Sequence, residues 1–407
     1  MLWGIDRLSG GQLSGLRRRL RGSEVGVLTH GAAVDRRGRN VLRSLEELGI
    51  EARVVFTPEH GFDGALQAEE AVPSPEREAG AATAPVVSLY GHDAESLSPK
   101  AEALDGLGVL VIDLADVGSR YYTYVWTALL VARAARARGV HVVVLDRPNP
   151  IGGDAALAEG APQKEGFLSF VGLEPIPTRH GLTIGELLAH FFERDGVPLG
   201  PDGALSVVPV LGWERHRTAA AWDRPFVMPS PNMPTAETAL VYPGGCLVEG
   251  TNLSEGRGTT APFQIVGAPF LRSDDLAQAM RDAILPGVLV RPVSFRPTFE
   301  KHAGEHCHGV MLHVTDPASF RPLTTYLTLL ALVRAQAPEA FAFRTTPYEF
   351  EHTRPAFDLL TGSSEAREAL LSGASANALI DLVTPVPPEW RQEVERAEAR
   401  VLNGAHA

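Results

Sequence analysis

The sequence predicts an α/β fold: a Rossmann-like, doubly wound parallel sheet followed by a smaller α+β domain. Three observations carry this. The first half alternates strand-length apolar runs with stretches of helical periodicity. Those runs are apolar at nearly every position, as strands buried on both faces are. The chain has 407 residues, more than one hydrophobic core usually serves, and its texture changes around residues 225–270. The expected division is residues 1–235 and residues 236–407, the second part closing a cleft over the first.

The elements follow in order. Val25–Leu28 is a short strand ending at Thr29-His30-Gly31. A helix is expected over Val41–Leu48, where Leu42, Leu45 and Leu48 share one face. Ala52–Phe56 is the next strand, stopped by Pro58, and Val86–Leu89 is a third. Val109–Leu114 is strongly apolar and precedes a helix from about Val125 to Arg138. Val140–Leu145 is another buried strand, closed by Asp146-Arg147-Pro148-Asn149-Pro150. Right-handed connections between such strands build the doubly wound sheet. Dense Pro and Gly in 225–270 predict irregular but structured chain near a domain junction. Helical patterns at 276–284, 326–335 and 366–372, with a strand at 310–314, make the smaller domain.

The balance of 49 acidic against 37 basic residues leaves a formal charge of −12 with no basic tail, which argues against a nucleic-acid partner. The cysteines, Cys246 and Cys307, form no disulfide framework or zinc-ribbon spacing. The opening MLWGIDRLSGGQ has no signal-peptide pattern, and no apolar run approaches a bilayer's thickness. A cytoplasmic protein without a membrane partner is expected.

In open parallel sheets, ligands bind beyond the carboxyl ends of the strands. Here those ends carry His30, then Glu59 and His60, then Asp113, Asp116, Arg120 and Tyr121, then Asp146, Arg147 and Asn149. Glu59 in FTPEHG reads either as a general acid/base carboxylate or as a solvated turn residue beside Gly61. Asp113 and Asp116 read as a second carboxylate, as metal ligands, or as a helix cap paired with Arg120. Tyr121, Tyr122 and Tyr124 read as a sugar-stacking wall or as core. His180 precedes a helix whose Thr183 and Glu186 have capping-box spacing.

Downstream, EGTNLSEGRGT sets Glu249, Asn252 and Arg257 among glycines, where backbone amides can approach an anion. It matches no nucleotide-binding fingerprint. In KHAGEHCHGVMLHV, His302, His306, Cys307, His308 and His313 lack zinc-ligand spacing and read better as strand-edge residues. No metal and no cofactor are expected.

Together these motifs resemble a known family. VGVLTHGAAVD, FTPEHGFDG, SLYG, IDLADVGSRYYTY, VLDRPNPIGG, SFVGLEPIPTRHGLT, MPSPNMPT, YPGGCLVEGTNLSEGRGT and PFQIVGAP occur in the order found in exo-β-N-acetylmuramidases of the NamZ type, and the resemblance spans nearly the whole chain. It implies a Rossmann-like catalytic domain, a smaller C-terminal domain and an active site between them. It implies release of N-acetylmuramic acid from the non-reducing end of peptidoglycan fragments. The PEHG glutamate falls on Glu59, and the arginine and tyrosines of DVGxRxYTY fall on Arg120, Tyr121 and Tyr124. Two strand ends depart from the family pattern. His30 and Ala32 stand in place of the Asn and Thr of TNxT, and Ala115 replaces the Gln before DVG.

Glycoside hydrolysis usually needs a proton donor and a second group on the other face of the sugar, so Glu59 is expected as acid or acid/base, with Asp116 as its partner and Asp146 behind it. His60 and His180 would orient Glu59 or bind the sugar, with His30, Tyr121, Tyr124, Arg147, Asn232, Glu249 and Asn252 as further substrate contacts. Arg120 or Arg257 would read the lactyl carboxylate of a small muropeptide or disaccharide. Two alternatives stand beside this: a metal-dependent esterase or amidase built on Asp113, Asp116 and histidines, and a muropeptide-binding protein without activity.

Overall fold

A computed structural model describes residues 1–10, 13–72 and 84–404. Six parallel strands form the main sheet: β1 (Val25–Thr29), β2 (Ala52–Thr57), β3 (Val86–Ser88), β4 (Val109–Asp113), β5 (His141–Leu145) and β6 (Leu205–Val208). Their spatial order, β3-β2-β1-β4-β5-β6, is that of a Rossmann fold, with the direction of winding reversing between β1 and β4. The continuous apolar runs serve both faces. Val109 and Val111 of β4, with Val143 of β5, enter one core, while Leu110, Ile112, Val142 and Val144 enter the other.

The second sheet is antiparallel, in the order β7 (Ile265–Ala268), β9 (Cys307–Val314), β8 (Val288–Phe295). Helices Ser273–Asp282, Pro322–Gln336 and Glu365–Leu371 accompany it, as the periodicity predicts. The last helix, Trp390–Gly404, returns to the first sheet's layer and packs on helix Ile184–Arg194, where the Trp390 indole donates to the carbonyl of His180.

One expectation is corrected. Part of the Pro- and Gly-rich stretch is a regular helix, Ala236–Gly245, continued as a 3-10 turn to Gly250. The Thr235 hydroxyl caps it, and Pro243 falls inside it. Burial of the apolar Ala239–Tyr242 run outweighs the propensity of Pro and Gly. No described helix is long and apolar enough to cross a membrane.

Candidate active site

Above the sheet lies a cavity of about 620 Å³, lined by residues following β2, by the 121–123 segment, by 230–233 and by the C-terminal part of the chain. Glu59 and His60 are in its wall. Pro58 ends β2, and the chain then turns through left-handed residues at His60 (φ 72°) and Gly61 (φ 74°). Glu59 is only 5% exposed, so the solvated-turn reading fails. Its Oε2 accepts a hydrogen bond from the Thr123 hydroxyl at 2.8 Å, and its Oε1 accepts one from the Glu69 N–H at 3.3 Å. The Tyr124 hydroxyl fixes the backbone, donating towards the carbonyls of Glu59 and Pro229. His60 Nδ1 lies 2.7 Å from the Leu66 carbonyl, which places its proton there and leaves Nε2 as an acceptor in the neutral ring.

The opposing lining is rich in charge. Arg257 donates to Glu249 at 2.6 Å and pairs with Glu255 at 3.3 Å, and Lys301 pairs with Glu255 at 2.7 Å. The Tyr348 hydroxyl donates to the other oxygen of Glu249 at 2.7 Å. Burial opposes ionisation of Glu249, but the Arg257 charge and these hydrogen bonds outweigh it and hold its carboxyl below the usual range. Glu69 meets Arg344 through two bonds, at 3.0 and 3.1 Å. Glu349 accepts from the Tyr90 hydroxyl at 2.9 Å. Burial first, then the charges of Glu59 and Glu69, push the Glu349 carboxyl well above its ordinary pKa.

Backbone strain concentrates here. Of the eight non-glycine residues with positive φ among the described residues, six line this cavity: His60, Glu69, Phe263, Glu300, His302 and Glu349. Such conformations persist where surrounding packing over-determines them, and they cluster at functional sites.

The sequence-predicted residues divide clearly. Glu59, His60, Tyr121, Asn232, Glu249, Asn252 and Arg257 line the cavity. Asn252 spends its amide on the backbone of Ala340 and Ala342, at the rim. Tyr124 is core and supports Glu59 from behind.

The others are structural. Arg120 is fully buried and donates to the carbonyls of Ala161, Ile176 and Leu360, so its guanidinium is committed to the backbone. Asp116 lies outside the cavity lining, accepts from the Gly118 N–H and is pushed up to about 7 by burial. Asp113 pairs not with Arg120 but with Arg147, at 2.5 and 2.9 Å. Asp146 accepts from the Thr183 hydroxyl and the Gly185 N–H, holding the start of the Ile184–Arg194 helix, where the capping box with Glu186 is present. His180 is buried, and its Nδ1 accepts from the Leu182 N–H.

His30 also lies outside the cavity. Its Nε2 accepts from the N–H of Ala115 at 2.9 Å, so two positions that depart from the family pattern meet each other across the β1/β4 switch point. Burial, with the charges of Arg147 and His60, pushes its pKa down to about 3, so the ring is neutral. The rings of His306, just before β9, and His308, within it, are tilted to each other with centroids 5.4 Å apart, and Cys307 is buried; the segment is a strand, but β9 is the central strand of its sheet and not an edge. Among the described residues, no three His, Cys, Asp or Glu side chains converge as a metal-binding group.

A Rossmann-type sheet with a carboxylate-rich, partly strained cavity at its carboxyl edge is the arrangement of an α/β enzyme. The chain belongs to the NamZ family of exo-β-N-acetylmuramidases: the model of the family's N-terminal part matches residues 25–237, and that of its C-terminal part matches 240–398. It is 40% identical over 379 residues to the peptidoglycan β-N-acetylmuramidase NamZ of Bacillus subtilis (strain 168), covering 93% of this chain and 86% of that one. Among solved structures, a DUF1343 family protein from Bacteroides fragilis NCTC 9343 superposes with a TM-score of 0.81 at 27% identity, covering 99% of this chain and 97% of that chain. A second DUF1343 protein from the same organism shares the fold, with a TM-score of 0.70 at 24% identity, over 99% and 98% of the two chains.

Proposed function

We propose that this chain is an exo-β-N-acetylmuramidase, a glycosidase that releases N-acetylmuramic acid from the non-reducing end of peptidoglycan fragments in cell-wall turnover or recycling. The observation that carries the reading is Glu59: a buried carboxylate in the wall of the cavity, oriented by Thr123 and by the Glu69 N–H. Membership of the NamZ family and the name of the Bacillus subtilis relative support the substrate class.

Glycoside hydrolysis needs a carboxylate poised at the anomeric carbon, and Glu59 is our candidate. His60 Nε2 and Asn232 face the same space and bind sugar hydroxyls. Arg257 reads the lactyl carboxylate. Its Nε and Nη2 are held by Glu255 and Glu249, and its Nη1 makes no hydrogen bond to a described residue. Such a caged arginine lets an acidic protein accept an anionic sugar. The division of the chain at 235/236 fits this reading, because lining residues come from both sides of it.

The test is incubation with a MurNAc–GlcNAc disaccharide. Free N-acetylmuramic acid is expected. Saturable binding of the disaccharide with no sugar released would overturn the reading.

A further inference from the structure

We propose that Glu349 is the second catalytic carboxylate of this site, the group that protonates the departing glycosidic oxygen. The assignment rests on the glycosidase reading above.

The local backbone singles Glu349 out. Tyr348 and Glu351 pair through two backbone hydrogen bonds, of 3.0 and 2.9 Å, so Glu349 and Phe350 are the two central residues of a tight hairpin turn. Both have positive φ, 48° and 67°. A two-residue turn with positive φ at both positions is the natural place for Asn-Gly, and larger side chains there carry strain. This chain places a glutamate and a phenylalanine at them, and each side chain has a definite task. Phe350 packs edge-on against Tyr90, with centroids 5.1 Å apart, and near Phe170. Glu349 reaches the cavity wall, where the Tyr90 hydroxyl pins its Oε2. Its Oε1 accepts nothing from the described residues and is free for a ligand.

The surroundings suit a proton donor. Glu349 is buried, and the charges it feels most are the carboxylates of Glu59, Glu69 and Glu249, which favour its neutral form. Pairs of carboxyl groups with unlike environments divide into acid and base. In the step, Glu349 gives its proton to the glycosidic oxygen as the C1–O bond breaks and that bond's electron pair goes to the oxygen, which leaves as the next sugar's hydroxyl. Water supplies the oxygen that bonds to C1, and the proton it sheds goes to a carboxylate of the pair. Tyr90 is a positioning residue.

The experiment compares Glu349→Gln with wild type on two substrates, the MurNAc–GlcNAc disaccharide and a dinitrophenyl N-acetylmuramide whose leaving group needs no proton. The variant is expected to lose roughly 10²–10⁴-fold on the disaccharide and to stay within about tenfold on the aryl glycoside. Equal losses on both, or near-normal disaccharide turnover, overturn the assignment. A wild type that releases no muramic acid overturns the glycosidase reading itself, so the two failures are distinct. Tyr90→Phe provides a check independent of whether Glu349→Gln folds. Removing a donor to the carboxylate form raises the Glu349 pKa further, so the alkaline limb of kcat/KM is expected to move to higher pH. An unmoved limb also overturns the assignment.

Discussion

The carboxylate of Glu69 is gripped by both terminal nitrogens of Arg344, at 3.0 and 3.1 Å, and the N–H of the same Glu69 donates to Glu59. A residue from the C-terminal part of the chain thereby helps to position the central carboxylate, through a glutamate held at φ 63°. The pair is partly exposed, with side chains 27% and 36% accessible, so its worth to global stability is small. Its worth to geometry is larger. Arg344→Ala is expected to lower kcat roughly 10- to 100-fold while leaving thermal stability nearly unchanged. Arg344→Lys keeps the charge but not the two-pronged grip and is expected to recover little. Steady-state kinetics with a melting curve checks this, and wild-type kcat in Arg344→Ala contradicts it.

Arg120 is expected to matter for folding and not for sugar preference. Arg120→Ala leaves three carbonyls, those of Ala161, Ile176 and Leu360, without their charged donor, and opens a void in the packing. Charged hydrogen bonds and buried unpaired groups are worth about 1–3 kcal/mol each, so a loss of at least about 3 kcal/mol is expected by denaturant unfolding. Relative rates on muramic and glucosamine substrates stay as in wild type. A changed preference at intact stability restores Arg120 as the lactyl reader.

Asp116 is expected to show itself through pH. Its folded pKa is raised by burial from 3.8 to about 7. An acid that binds its proton more tightly when folded adds nothing unfavourable below pH 3.8 and opposes folding increasingly as pH rises to about 7. Asp116→Asn removes the ionising group, so its stability relative to wild type is expected to improve by a few kcal/mol between about pH 4 and pH 8. Turnover is expected to remain within about threefold of wild type, since the side chain lies outside the cavity lining. A difference in melting temperature that is flat with pH, or loss of activity, contradicts this.

The sheet was legible because its strands are buried on both faces, and continuous valine and leucine runs mark that burial. Glu59 and His60 were legible because the carboxyl ends of parallel strands are where side chains converge. The same rule misled at Asp116 and Asp146. A carboxylate at a strand end either meets substrate or ties down the next turn or helix, and spacing alone does not separate the two. The rule also points to the β1/β4 switch point, but there the imidazole of His30 bonds the Ala115 amide, and the cavity opens over the end of β2 instead. The C-terminal lining was illegible for a different reason. Lys301, Arg344 and Glu349 lie in loops without periodicity, and only the folding of the chain brings them to the same cavity as Glu59. The left-handed Glu349-Phe350 turn hides further, because its residues are not those that such turns ordinarily carry. Only Thr123, adjacent to the motif tyrosines, was within reach as a donor to Glu59.

The most direct measurement is kcat/KM of Glu59→Gln on the MurNAc–GlcNAc disaccharide, with a melting curve to establish that the variant folds. The substituted glutamine fills the same space and removes only the ionisable group. A folded variant slowed by roughly 10²–10⁴-fold is the expected result. A folded variant that still releases N-acetylmuramic acid at close to the wild-type rate contradicts the central role given to Glu59.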